Sequence, residues 1–151
     1  MRLVVDTSVL VGELLRSSGR QRLGDERLDL FLPERMWNEA RVELPRRIAA
    51  FARRRELDVT VRDELVSVCL QAIEANIVIL DEAIYSALED EARSRSLRDP
   101  ADWAVVASAL ALDAGVWTND NDFLGTGVAT WTTDTLRSWL ERHPSTLTPE
   151  T

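Results

Sequence analysis

VVDTSVL, residues Val4 to Leu10, joins a short apolar run directly to an acid, two hydroxyl residues and a second apolar pair. The run RLVV before the acid is typical of a buried strand, and SVLVGELLR after it has apolar residues at helical spacing. A strand that passes straight into a helix is the unit of an α/β fold. Asp6 therefore stands at the carboxyl end of a predicted strand, where such sheets bind their ligands.

Four further apolar runs predict strands, and helical patterns separate most of them. The predicted strands are LDLFL (28–32), IVIL (77–80), VWT (116–118) and VATW (128–131). The predicted helices cover 34–55, 61–75, 81–94, 98–115 and 133–143, whereas SSGRQR (17–22) predicts a loop. Pro45 should kink its helix or divide it in two. The helix over 98–115 should have Asp99 as its N-cap and Gly115 at its end. The alternation indicates a layered α/β fold with a mainly parallel sheet.

Length and apolar content predict one domain, over residues 1–143, with 144–151 as a flexible C-terminal tail. No apolar run reaches the roughly 20 residues of a membrane span, and the N-terminus lacks the pattern of a signal peptide. Cys69 is the single cysteine and cannot form an internal disulfide. We therefore expect a cytoplasmic protein without membrane contact.

The charge is acidic, with 26 Asp and Glu against 18 basic residues and a net charge of −8. This balance argues against a broad nucleic-acid-binding surface. Every one of those basic residues is arginine, however, and several of them cluster. Arginine binds phosphates in a planar, bidentate manner. Arg53, Arg54 and Arg55 are accordingly candidates for nucleic-acid contact, and a solvated helix face is the alternative.

Acidic residues recur where predicted elements begin and end. Asp120 and Asp122 follow a predicted strand in WTNDNDF, as Asp6 follows the first. Glu39 and Glu43 share one helix face through i,i+4 spacing, and Asp99 and Asp102 share another through i,i+3 spacing. Structural roles are open for most of them: helix capping for Asp99 and Asp102, an ion pair with Arg46 or Arg47 for Glu43, and turn formation for Asp120 and Asp122. Asp6 is the hardest to explain in this way, because an acid after a buried strand needs partners.

Carboxylates that converge repel one another, which raises some of their pKa values and destabilises the fold. A hard divalent cation such as Mg²⁺ or Mn²⁺ removes that cost and commonly bridges carboxylates to substrate phosphates. The associated chemistry is hydrolysis of phosphodiester bonds. His143 is the only histidine and lies near the C-terminus, which argues against a Ser-His-Asp triad or a His-rich zinc site.

VVDTSVL, a Glu in the helix after the second strand, DWAVVASALA and TNDNDF together resemble a PIN domain, the nuclease domain of VapC-type toxins and related ribonucleases. The resemblance implies a three-layer α/β/α fold with a sheet of four to five strands. By position, Asp6, Glu39, Asp102 and Asp120 are similar to the family's catalytic acids, with Asp6, Asp102 and Asp120 as metal ligands. Thr7, Ser8, Glu43, Asp99, Thr118 and Asp122 are supporting or alternative residues, and Glu43 competes with Glu39 for the second acid.

This resemblance implies a Mg²⁺- or Mn²⁺-dependent endonuclease that cleaves RNA and forms a homodimer. The family's toxins are usually neutralised by a small antitoxin, so we expect the toxin of a toxin–antitoxin pair. The alternatives are an orphan or housekeeping PIN nuclease without antitoxin, and a catalytically silent interaction module. A phosphatase with an aspartyl nucleophile would need an Asp-x-Asp pair, whereas Asp6 is followed by Thr7 and Ser8.

Overall fold

The centre of the molecule is a five-stranded sheet in which every neighbouring pair of strands is parallel. The structure is a computed structural model that describes residues 1–145. The strands are β1 (Arg2–Val5), β2 (Asp29–Pro33), β3 (Ile77–Leu80), β4 (Gly115–Trp117) and β5 (Thr130–Trp131), in the order β3-β2-β1-β4-β5. All five predicted strands are present, and the predicted parallel α/β architecture is confirmed.

Helices cover both faces of this sheet. They are α1 (Thr7–Leu14), α2 (Ser17–Leu23), α3 (Glu34–Arg54), α4 (Val59–Asn76), α5 (Glu82–Tyr85), α6 (Glu89–Arg95), α7 (Trp103–Leu112) and α8 (Thr133–Arg142). Short 3₁₀ turns occupy Ser86–Leu88, Pro100–Asp102 and Asn121–Phe123. None of the helices within residues 1–145 is long and apolar enough to cross a membrane.

Two apolar cores arise because successive strand residues point to opposite faces of the sheet. Leu3 and Val5 pack into one core, which α1, α2, α3, α4 and α8 complete. Val4 packs into the other, which α5, α6 and α7 complete. Residues 103–109, at the start of α7, are all buried, so this helix lies against the middle of the sheet. The result is the expected three-layer α/β/α arrangement.

The segment SSGRQR is a helix, α2, and the predicted loop is wrong. The cause is tertiary contact: a Cβ on Gly19 would lie 2.2 Å from the backbone oxygen of Glu13. Only glycine lets α2 approach the end of α1 this closely. Arg22 also forms an ion pair with the buried Glu13 and ties the two helices together. Local sequence therefore suggested an irregular segment that packing makes helical.

Three other boundaries differ from the predictions. Pro45 lies inside the continuous helix α3 and does not divide it; its missing N–H removes one exposed helical hydrogen bond. The helix predicted over 81–94 is broken into α5, a 3₁₀ turn and α6. Asp113, with φ of 49°, ends α7 in the left-handed conformation, and Gly115 instead begins β4. Aspartate tolerates that conformation better than most residues.

The strand order reverses beside β1, because the chain proceeds from β1 to β2 and β3 and then returns to β4 on the other side. In parallel α/β sheets the crevice at the carboxyl ends of the strands flanking such a reversal is the usual ligand site. Asp6 directly follows β1, and Thr118 directly follows β4. The topology thus brings the two most distant acidic motifs of the chain to one edge.

Candidate active site

Asp6 is held at the carboxyl end of β1 by hydrogen bonds to the end of β4 and to Ser8. Its backbone N–H donates to the carbonyl oxygen of Trp117 at 3.0 Å, which extends the pairing of β1 with β4. The hydroxyls of Ser8 and Thr118 both donate to its Oδ2 atom, each at 2.9 Å. Two donors on the same oxygen fix the orientation of the carboxylate. The partners that Asp6 needs are therefore present.

Asp120 is linked to Asp6 through Thr118. The Thr118 Oγ1 atom accepts a hydrogen bond from the backbone N–H of Asp120 at 2.9 Å while it donates to Asp6. The Oδ1 atom of Asp120 accepts from the backbone N–H of Asp122 at 2.9 Å and caps the 3₁₀ turn that follows. One oxygen of Asp120 thus forms the turn, and the exposed side chain keeps a second oxygen. The 3₁₀ turn therefore fixes the direction in which the carboxylate of Asp120 projects.

Asp102 lies in a cluster of negative charge at the start of α7. Burial raises its pKa to about 7, and the charges of Asp99, Asp6, Asp120 and Asp122 add to the increase. Asp99 caps the preceding turn, since its Oδ1 accepts from the backbone N–H of Ala101 at 2.9 Å. Asp102 makes no such capping bond. The capping interpretation therefore applies to Asp99, whereas Asp102 bears an electrostatic cost.

Glu39 and Glu43 line a cleft of about 260 Å³ that Asp6, Thr7 and Ser8 line from the opposite side. Both glutamates project from α3 and are exposed. Glu43 lies 3.7 Å from Arg47, which is the surface ion pair considered from its spacing. Glu39 makes no ion pair within residues 1–145. Both glutamates share the cleft with Asp6, so either can contribute the second acid.

Of the two hydroxyl residues after Asp6, only Ser8 contacts its carboxylate. Thr7 lines the same cleft, but its buried Oγ1 atom has no hydrogen-bond partner among the described residues. The RNA-binding candidates Arg53, Arg54 and Arg55 lie at the other end of α3 and are exposed. They are separated from Glu39 along the helix and do not join the acidic cluster.

Sequence reasoning missed two residues at this edge. Arg98 lies 3.7 Å from Asp122 and donates to the carbonyl oxygen of Asn121 at 3.4 Å, so it brings positive charge to the rim. Its position next to Asp99 in the sequence was the available signal. Asn119 accepts from the backbone N–H of Thr133 at 3.0 Å and fixes the loop after β4 to α8. Nothing in WTNDNDF distinguishes that asparagine from an ordinary turn residue.

A family model described as PIN domain matches residues 4–141 of the chain. The chain belongs to the PIN domain family. PIN domains are generally nucleases. The carboxyl-end edge of the sheet with Asp6, Asp102 and Asp120, called the acidic edge below, is therefore the candidate active site of this PIN domain. The match includes the end of β1 with Asp6 after it, the start of α7 and the loop after β4.

Two solved structures share the fold of this PIN domain. The structure of FitAB bound to IR36 DNA fragment is 22% identical in sequence, with a TM-score of 0.56 over 87% of this chain and 94% of that one. The crystal structure of FitAcB from Neisseria gonorrhoeae is 23% identical, with a TM-score of 0.55 over 87% of this chain and 96% of that one. Among curated protein sequences, none matches the chain.

PIN nucleases generally use divalent metal ions. The donor set of this PIN domain suits Mg²⁺ or Mn²⁺ chemically, because Asp6, Asp102 and Asp120 offer carboxylate oxygens, and the hydroxyls of Ser8 and Thr118 adjoin Asp6. In the described part of the chain, however, no three acidic, histidine or cysteine side chains gather around one point. The acids are close enough to influence the pKa of Asp102 without converging as ligands. The chemistry of these donors fits a hard cation.

Proposed function

We propose that this PIN domain is a metal-dependent endoribonuclease, that it hydrolyses RNA phosphodiester bonds at the acidic edge, and that it is the toxin of a toxin–antitoxin pair. The observation that carries the proposal is the link between Asp6 and Asp120 through Thr118 at the strand-order reversal. Two strand ends 112 residues apart in the chain supply one hydrogen-bonded acidic site. Structural needs alone do not require such an arrangement.

The site residues divide into those that would hold the ion and those that orient them. Asp6, Asp102 and Asp120 would hold Mg²⁺ or Mn²⁺. When bound, such an ion supplies a more acidic water for attack on phosphorus and stabilises charge on the leaving oxygen. Ser8 and Thr118 hold one oxygen of Asp6 and leave the other free. Asp122 and Asp99 add negative charge at the rim and strengthen attraction for a cation.

Glu39 is our choice for the acid that accepts a proton from the attacking water. It faces Asp6 across the cleft, and Glu43 on the same cleft is already engaged by Arg47. Glu39 has no ion-pair partner within residues 1–145, so its carboxylate is free to accept a hydrogen bond and then a proton from the attacking water.

The toxin assignment rests on the family resemblance and not on the fold neighbours, whose identities are below 25%. A toxin should arrest growth when it is expressed, and a small protein encoded beside it should relieve the arrest. An orphan nuclease would cleave RNA in vitro but would have no such neighbour. The growth arrest should require the charge of Asp6. Asp6→Asn keeps the size of the side chain and removes that charge, so it should abolish the arrest.

The enzymatic proposal is tested by RNA cleavage with and without Mn²⁺. We expect Asp6→Asn and Asp120→Asn to lower the rate more than about 100-fold, since loss of a ligand should exceed the 10- to 100-fold effects typical of residues that only orient ligands. Binding of Mn²⁺ measured by calorimetry should weaken in parallel. Asp113→Asn is the control, because Asp113 is exposed and is remote from the carboxyl ends of the strands. Cleavage that is unchanged in Asp6→Asn, with folding intact, would refute the proposal.

A further inference from the structure

The cleft between Asp6 and Glu39, called the acidic cleft below, continues along one side of α1 through two shallow clefts. Each of these clefts shares residues with the one before it. The second cleft, of about 360 Å³, shares Ser8, Val11 and Arg47 with the first. The third, of about 450 Å³, shares Gly12 and Leu15 with the second. We call this continuous surface the α1 trough. Its floor is Ser8, Gly12 and Leu15, and its walls carry Arg47, Arg54, Arg55 and Arg16.

The walls of the α1 trough are unusually basic for a chain of net charge −8. Arg47, Arg54 and Arg55 lie at helical spacing on one side of α3, and Arg16 faces them from the end of α1. Arg54, Arg55 and Arg16 form no ion pair within residues 1–145. Arg55 rests on the ring of Phe51 at 4.9 Å, which orients its guanidinium. The positive charge is therefore available to a ligand.

A cleft on the opposite side of α1 also contains three arginines, but two of them are paired with acids. Arg22 pairs with the buried Glu13, and Arg137 lies 3.1 Å from Asp134. Arg16 lines both clefts, whereas Arg54 and Arg55 line only the trough. Among the described residues, the trough therefore offers an anionic strand more unpaired positive charge than the opposite cleft does.

Gly12 makes the floor of the trough shallow. A Cβ built on Gly12 would meet no atom within 4 Å, so the fold does not require glycine there. A helix interior normally disfavours glycine. The open space above Gly12 instead lets a ligand approach the backbone of α1. From Ser8 to Leu14 the trough follows α1 for about 9 Å, at about 1.5 Å per residue, before it reaches Arg16 beyond the helix end. This length accommodates more than one nucleotide.

We infer that the α1 trough binds the phosphate backbone of the RNA strand beside the scissile bond, with Arg54, Arg55 and Arg16 as phosphate contacts and Gly12 as the floor. This inference rests on the proposed ribonuclease function and extends it from the reacting phosphate to its neighbours. It also separates the three arginines of the RRR run. Arg54 and Arg55 line the trough, whereas Arg53 lines none of its three clefts.

The test is the salt dependence of RNA binding, measured by fluorescence anisotropy with a labelled single-stranded RNA of mixed sequence in EDTA, where no cleavage occurs. For a single strand, each phosphate contact adds about 0.7 to the slope of log affinity against log salt. Arg54→Ser should lower the slope by about 0.7 and weaken binding several-fold. Arg53→Ser, an adjacent substitution with the same change of charge, should leave both unchanged. Equal effects of the two variants, or no RNA binding by the wild type at low salt, would overturn the inference.

Gly12 provides a second test that separates binding from stability. Gly12→Ala should raise Tm by about 2–4 °C through better helix propensity. Gly12→Glu should fold normally but weaken RNA binding, because it places a side chain and a negative charge on the floor. Ala111→Glu, on exposed α7 surface across the sheet, is the charge-matched control. If Gly12→Glu and Ala111→Glu bind RNA equally, the trough is not the path. Mn²⁺-dependent cleavage by the wild type would still support the proposed function in that case.

Discussion

The two walls of the acidic cleft are built in different ways. On the sheet side, Asp6 lines the cleft and is joined through Thr118 to Asp120 outside it, and backbone pairing of β1 with β4 sets the separation of the two acids. On the helix side, Glu39 and Glu43 project from exposed turns of α3 and make no hydrogen bond to the opposite wall. One wall is fixed by the fold, and the other is free to adjust. The difference suggests that the sheet wall binds the ion and the helix wall moves a proton.

The largest expected effect comes from the helix wall, where Glu39 and Glu43 differ in their proposed roles. We expect Glu39→Gln to lower kcat about 10²- to 10⁴-fold, the range for loss of a proton-transfer group, with little change in Mn²⁺ affinity. Glu43→Gln is the matched control four residues along the same face and should cost far less. RNA cleavage and Mn²⁺ calorimetry measure the two quantities separately. A larger loss in Glu43→Gln would exchange the roles of the two glutamates.

The sheet wall can be loosened without removing a charge. Thr118→Val keeps the shape of a buried side chain but removes the donor to Asp6 and the acceptor for the Asp120 N–H. We expect Mn²⁺ affinity and cleavage to fall together by about 10- to 100-fold, as for other residues that orient metal ligands. Ser8→Ala removes one exposed donor to the same oxygen and should have a smaller effect. Equal, small losses in both variants would mean that the link does not position the acids.

Asp102 gives the smallest effect, and it concerns stability. Its pKa in the fold, about 7, exceeds the ordinary value of 3.8, so the folded protein favours the protonated form. The metal-free protein should therefore lose stability as pH rises from about 4 to about 7, because ionised Asp102 is costly in the fold. After allowance for solvent screening of this partly buried group, Asp102→Asn should stabilise the protein at pH 8 by about 1–2 kcal/mol. Denaturant unfolding of the wild type and Asp102→Asn across this pH range measures the difference.

One result would contradict the interpretation of Asp102, and the response to Mn²⁺ would support it. If Asp102→Asn destabilises the metal-free protein, its carboxylate serves the start of α7 and not an electrostatic cluster. Mn²⁺ should also abolish this fall in stability with rising pH, since a bound cation displaces the proton from the carboxyl group of Asp102. Asp99→Asn is the useful contrast, because Asp99 caps Ala101 and its loss should reduce stability.

Strand positions were predictable because each strand is a short apolar run with clear limits. RLVV and IVIL match β1 and β3 residue for residue. Helix limits were less predictable where contacts decide them. Gly19 suggested a loop until its approach to Glu13 was known, and Asp113 replaced Gly115 as the end of α7. In each case local preference was overruled by a contact that the sequence does not display.

The site could be predicted in part. Asp6 and Asp120 follow strands of a parallel sheet, so their common edge was deducible from the sequence. The hydroxyl partner of Asp6 was not decidable, and Ser8 rather than Thr7 makes the contact. Arg98 and Asn119 were missed because their importance comes from neighbours that are distant in the chain.

The sequence by itself determined the layered fold and the acid types, since apolar periodicity and strand ends are local properties. Only the tertiary structure decided which side chains meet. Strand order brought β4 beside β1, and Thr118 could then join Asp6 to Asp120. Hydrogen bonds and ion pairs act over a few ångströms in space, and linear order does not report that distance.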